Sequence, residues 1–274
     1  MNLASANGSP ASPEEPSAAA SRTAGPHLPA LLTLFSSAFP IGGFAYSHGL
    51  EAAVREGTLR DATGVEAWAR LLLSAGSGWN DLVLLAGAWR ATKADDTDRL
   101  GAAAELATAL CGSAERRMET LALGAAFTEA SQPWLDRAAR GADHARAAAS
   151  AADEGSVAEA ASPAGRSGPP GSLAPPMPYP VAAAGLAAHA GLPLGETLTA
   201  YAHVFAASLV SAAVRLVPLA QSEAVGVLHR LEPDIRRAAE RSLVSTLDDL
   251  GSAALGSEIA AMRHESLQTR LFRS

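Results

Sequence analysis

His264 and Glu265 stand side by side near the C-terminal end of the chain, an imidazole beside a carboxylate, the kind of pair that shares a proton or joins a metal shell. Two donors fill only part of a four-coordinate shell, so on their own they read as a paired or capped surface histidine. Ser47 and His48 are adjacent in sequence, whereas a nucleophile and its base must converge in space with a third group that orients them. Acyl transfer by that pair is therefore not expected. The 7 histidines are scattered, without the two-histidine helical spacing of a zinc protease, and no glycine loop opens onto Lys and Ser/Thr as a phosphate cradle requires. Cys111 is the sole cysteine, which excludes an internal disulfide and reads as a small buried apolar residue. These residues assign no catalytic set, no metal site and no cofactor.

Two other stretches carry more information. Around Pro40 an apolar helical run from Leu31 is stopped and restarted, because Pro40 disfavours helix at Phe39 while Gly42 and Gly43 open backbone angles closed to other residues. Phe39, Phe44 and Tyr46 crowd this turn in a chain with only 5% aromatics, which suits a packed junction or a contact surface. The second stretch is the C-terminal run from Gln268 to Ser274, in which Arg270 and Arg273 flank Leu271 and Phe272. An aromatic anchor between two guanidinium forks suits docking into a groove, on this chain or on a partner.

Size and charge narrow the classes further. A chain of 274 residues has ample core, although the 48% hydrophobic fraction is rich in alanine, which favours helix and buries little area. A formal net charge of −7 with no Lys/Arg cluster argues against nucleic-acid binding. The acidic, Ala/Ser/Pro-rich start fits neither a secretory signal nor a transit peptide, and no stretch approaches the roughly 20 strongly apolar residues of a membrane helix. A cytoplasmic protein is expected.

The elements that must position the two stretches are helical. Residues 1–27 are expected to be a disordered tail. The pattern then predicts helices from Leu28 to the turn, from Phe44 to Glu56 closed by Gly57, and from a Thr63/Glu66 capping box through Val65, Trp68, Leu71 and Leu72. It predicts one capped by Asn80, one opened by Asp95, Asp96 and Asp98, and one over Ser113 to Ala130, whose Glu115, Arg116, Arg117 and Glu119 are read as surface pairs. A Pro/Gly-rich insertion of about 137–178 follows. Beyond it come a small-residue helix over Val181 to Ala190, a long helix with its stripe at Leu198, Tyr201, Phe205, Leu209, Ala212 and Leu216, two shorter helices divided at Pro233, and a last one over Ser257 to Gln268. The fold class is all-α, a single helical-bundle-like domain of about ten helices over 28–274, with no strand alternation.

The runs Phe39-Pro-Ile-Gly-Gly-Phe-Ala-Tyr-Ser-His-Gly-Leu-Glu51, Val214-Arg-Leu-Val-Pro-Leu-Ala-Gln221 and Met262-Arg-His-Glu-Ser-Leu-Gln-Thr-Arg-Leu-Phe-Arg-Ser274 occur in this order and closely resemble the urease accessory protein UreF family. The resemblance covers roughly residues 28–134 and 179–274 and includes Asp248-Asp-Leu-Gly-Ser252. Two departures stand out: Ala220 and Ala224 replace the glycines of a family turn, and Pro178 stands where a histidine is common, which leaves that position without a metal role. The resemblance implies a non-catalytic, all-helical homodimer. It would bind UreD (also called UreH) and, through that complex, recruit and regulate the GTPase UreG, so that nickel is inserted into the urease apoprotein. Partner-binding surfaces are then expected at the C-terminal residues His264, Arg270, Leu271, Phe272, Arg273 and Ser274, at the turn residues Pro40, Gly42, Gly43, Phe44, Tyr46 and Ser47, and at Arg215 with Gln221. Two alternatives follow: an arginine such as Arg270 or Arg273 supplied to the UreG active site as a GTPase activator, or a nickel carrier using His48, His264 or Glu265.

Overall fold

The structure is a computed structural model that describes residues 25–43, 45–136 and 177–273. Expectations for the tail before Gly25, the insertion at 137–176, Phe44 and Ser274 lie outside these residues. Among the described residues every regular element is helical: α1 (Leu28–Leu34), α2 (Leu50–Arg55), α3 (Ala62–Ala75), α4 (Ser77–Lys93), α5 (Thr97–Ala109), α6 (Ala114–Ala130), α7 (Tyr179–His189), α8 (Leu194–Leu216), α9 (Gln221–Val244), a 3₁₀ turn (Leu247–Asp249) and α10 (Leu255–His264).

Helix α8 forms the axis. Its predicted stripe of Leu198, Tyr201, Phe205, Leu209 and Ala212 is buried, while Leu216 is half-buried, and α9, α4, α3, α2, α1 and α7 all pack on it. Helix α7 buries Ala183, Ala184 and Ala187, small side chains that let α4 and α6 approach closely. An aromatic chain carries the turn into this core. Phe39 meets Phe127 at 5.2 Å and Trp134 at 5.4 Å, Phe127 meets Tyr179 at 5.5 Å, and Tyr179 meets Tyr201 at 5.3 Å, mostly edge to face.

Several local readings are corrected. Helix α2 begins at Leu50 rather than near Phe44, because Gly42, His48 and Gly49 all take positive φ and hold the preceding residues in a turn. Asp61, not Thr63, caps α3 by accepting from the Gly64 N–H at 2.9 Å. Asn80 lies inside α4, where its side chain accepts from the Gly251 N–H at 2.9 Å. The two short helices divided at Pro233 are one 24-residue helix. Pro233 is exposed and the buried period Val227, Leu231, Ile235, Ala238 runs through it, so packing on α8 and α3 outweighs the one lost backbone bond. Helix α10 ends at His264, four residues short of the predicted end.

The α3–α4 stretch and α8 are long and apolar enough to cross a membrane by length and composition, which the sequence reading did not expect. Their apolar windows are 67% and 61% buried inside the bundle, as core helices are.

Candidate functional site: a C-terminal strap on the glycine turn

The turn and the C-terminal run, read separately from the sequence, meet in one place. Gly42 has φ 78°, and a Cβ there would lie 2.8 Å from Leu123 Cδ1 and 2.9 Å from Tyr46 Cδ2. At Gly43 a Cβ would lie 2.9 Å from Ser208 Oγ of α8. Gly49, also at φ 78°, is pressed against helix α10: its Cβ would sit 2.8 Å from the Ala261 nitrogen and 2.9 Å from the Ser257 carbonyl oxygen. Only glycine supplies both that dihedral and that contact.

Gly49 thereby delivers Glu51 to the interior. The α2 residue is 1% exposed, and its carboxylate gathers the chain end. It accepts from the Leu271 N–H at 2.9 Å and the Phe272 N–H at 2.9 Å. His264 Nε2 stands 3.2 Å away, and Arg55 Nη2 donates at 3.0 Å. Burial opposes the charge on Glu51, but the two backbone donors and His264 together hold its pKa below the ordinary value.

His264 is fully buried at 0% exposure, which corrects the surface reading. A carboxylate faces each ring nitrogen, with Glu51 at Nε2 and Glu115 Oε2 at 2.7 Å from Nδ1. A carboxylate only accepts, so both contacts are hydrogen bonds when the ring carries both protons. Glu115 also receives Arg270 Nη1. The neighbouring Glu265 caps α6, accepting from the Ala114 N–H at 2.7 Å, where a carboxylate suits the positive helix end. Arg116 and Glu119, read as surface residues, are also interior and pair at 2.6 Å.

The strap is completed by Phe272, Arg215 and Arg273. Phe272 is 3% exposed, and the Arg215 guanidinium lies 4.2 Å over its ring while donating to the Gly43 carbonyl at 3.3 Å. The Arg273 N–H donates to the Ala45 carbonyl at 2.7 Å. Tyr46, buried beneath, has its phenol pKa raised by burial and by Glu119, with Arg273 pulling the other way. Leu271 remains 58% exposed.

Most of the residues singled out from the sequence therefore converge. Tyr46 and Arg215 touch the strap directly, and Gly43 is tied to it through Arg215. Ser47 is buried and accepts from the Glu51 N–H at 3.4 Å, while Pro40 lies in the turn and Gly42 packs against Leu123 and Tyr46. Gln221 stands apart, lining a shallow groove of about 260 Å³ with Arg215 and Val225. The sequence reading missed Glu51, Glu115 and Gly49. The signal for Glu51 was its place in the apolar run Leu50-Glu-Ala-Ala53, since a charge set among core positions needs a partner. Among the described residues no group of three or more His, Cys, Asp or Glu side chains is placed to hold a metal ion.

An all-helical bundle that fastens its own C-terminal segment over a glycine turn is the class of protein that fold and site define. The sequence model of the UreF family matches residues 59–232. A urease accessory protein UreF of Agrobacterium fabrum is 43% identical over 244 residues, covering 89% of this chain and 95% of that protein. UreF proteins of Mesorhizobium japonicum and Rhodopseudomonas palustris are 40% and 41% identical over 245 residues, again 89% of this chain and 95% and 92% of theirs. The chain belongs to the UreF family of urease accessory proteins.

Proposed function

We propose that the chain serves urease maturation as a non-catalytic scaffold. It binds UreD (UreH) and recruits and regulates the GTPase UreG, so that nickel reaches the urease apoprotein, and it works as a homodimer in the cytoplasm. Family membership supports the role in maturation. The observation that carries the scaffold reading is the strap. Its backbone and Phe272 are consumed in holding it down, whereas Leu271 stays 58% exposed and the Arg270 side chain 38% exposed, a fixed apolar and cationic surface beside the turn. Preorganising such a surface lowers the ordering cost of binding.

The test is co-purification of UreD and UreG with the full chain and with a chain ending at Thr269, which keeps α10 and His264. Loss of UreG with helix content and UreD binding intact supports the reading. Retention of both partners at full affinity overturns it.

For the activator reading either arginine would have to leave a contact, Arg270 its pair with Glu115 and Arg273 its hydrogen bond with Tyr46, and the exposed Arg273 is the one tested. Arg273→Lys would then abolish acceleration of GTP hydrolysis while leaving UreG bound. The nickel-carrier reading draws little support from geometry: His264 and Glu265 are engaged with Glu51, Glu115 and the start of α6.

A further inference from the structure

Beneath the turn lie ionisable side chains besides those that hold the strap backbone. Asp81 of α4, Arg116 and Glu119 of α6, Tyr179 of α7, Tyr201 of α8 and His48 of the turn surround two adjoining cavities. Measured as space open to the centres of water molecules, these are about 60 and 30 Å³, and His48, Asp81, Arg116 and Thr120 wall both. The larger one extends toward Gly112 and Glu258 near the surface. One water needs roughly 10–15 Å³ by that measure, so several fit.

Two features of the walls point to what fills the space. The Tyr179 hydroxyl is buried, borders the smaller cavity and finds no hydrogen-bond partner among the described residues, a situation that buried polar groups relieve through ordered water. The charges are also unbalanced. Arg116 pairs with Glu119 at 2.6 Å but stands 3.9 Å from Asp81, beyond hydrogen-bond reach. Tyr201 donates to Asp81 at 3.0 Å. His48 cannot supply the missing cation, since burial and Arg116 push its pKa down to about 4, against the pull of Glu119 at 3.5 Å. Asp81 thus has no hydrogen-bonded cation among the described residues, and Cys111 and Glu258 are the other titratable groups on the wall of the larger cavity.

We propose that the two cavities hold a cluster of ordered water that hydrogen-bonds the Tyr179 hydroxyl, solvates Asp81 and reaches solvent near Glu258, making Asp81 a proton-binding site inside the bundle. A buried carboxyl with one arginine shared between two acids balances ionisation against neutralisation by uptake of a proton. Burial accordingly raises Asp81 to about 6, with Arg116 and Tyr201 opposing and Glu119 adding to the rise. Because His48 lies in the turn and borders the cluster, the strap rests on the element that this charge faces.

The test uses the full chain. Carbon-13 carboxyl signals of aspartate-labelled protein are followed from pH 8 to 4 in the wild type and in Asp81→Asn, and crystals are examined at a resolution that shows water. The expected result is one aspartate titrating near pH 6, absent from D81N, with water within hydrogen-bond distance of the Tyr179 hydroxyl. Every aspartate titrating near its ordinary value in the wild type overturns the proton site without need of a variant. Dry cavities, or an ion in place of water, overturn the cluster.

Discussion

The imidazole of His264 and the carboxylate of Glu51 meet at 3.2 Å in the interior although 213 residues separate them in sequence. Through that contact the start and the end of the domain become one surface. Glu51 binds the strap backbone, His264 passes the link to Glu115, and Glu115 holds Arg270.

Removing the carboxylate at the centre is expected to free the strap. Glu51→Ala leaves two backbone N–H groups, Arg55 and His264 without their acceptor, at about 3–5 kcal/mol for the broken buried network. Hydrogen exchange at Leu271 and Phe272 should rise to that of an exposed chain, and the urea midpoint should fall.

Gly49 tests whether α10 depends on the turn. Gly49→Ala drives a methyl group to 2.8 Å from the Ala261 nitrogen at a left-handed φ and is expected to cost more than about 2 kcal/mol. Gly191→Ala is the control: its φ is 71° but nothing among the described residues lies within 4 Å, so only the dihedral cost of about 1–2 kcal/mol applies. Equal losses in thermal unfolding would mean that the Gly49 contact is soft.

What the sequence made legible follows from range. The turn and the strap each announce themselves locally, by Pro40 and the glycines and by Arg-Leu-Phe-Arg, and helical periods placed α3, α6 and α8. The connection between them was not legible, because Glu115 and Arg270 are 155 residues apart and a lone glutamate looks the same paired or solvated. Glu115 and Arg116 sit next to Arg117 in a polar stretch that periodicity assigns to solvent, yet two of the three reach inward, Glu115 to His264 and Arg116 to Glu119. At Pro233 the opposite error arose, a local stop signal set above an apolar period that continued unbroken.

The two buried acids predict opposite responses to pH. The folded pKa of Glu51 lies below the ordinary 4.5, so its contribution is present above that value and is lost as pH falls through the folded pKa. Asp81 is raised from 3.8 to about 6, so its ionisation weakens the fold above pH 6 and that cost is relieved on acidification. Asp81→Asn should therefore raise stability at pH 8, by at most about 3 kcal/mol for such a difference, and leave it little changed at pH 4. A loss at pH 8 would mean that the carboxylate is needed as Arg116's partner.

Phe272 and Arg215 should act on the strap rather than on the whole fold. Phe272→Ala empties a buried site beneath the Arg215 guanidinium, and the lost burial and cation–π contact amount to about 2–4 kcal/mol of local attachment. Proteolysis should then clip the last residues first, while the thermal midpoint of the bundle moves by a few degrees at most.

The claim that the strap and the turn form the partner surface is tested most directly by hydrogen exchange on the full chain, alone and in complex with UreD and UreG. Protection at Arg270 to Arg273 and at Ala45 to His48 should increase when UreG joins the complex. Unchanged exchange in both segments, with new protection elsewhere on the bundle, would contradict it.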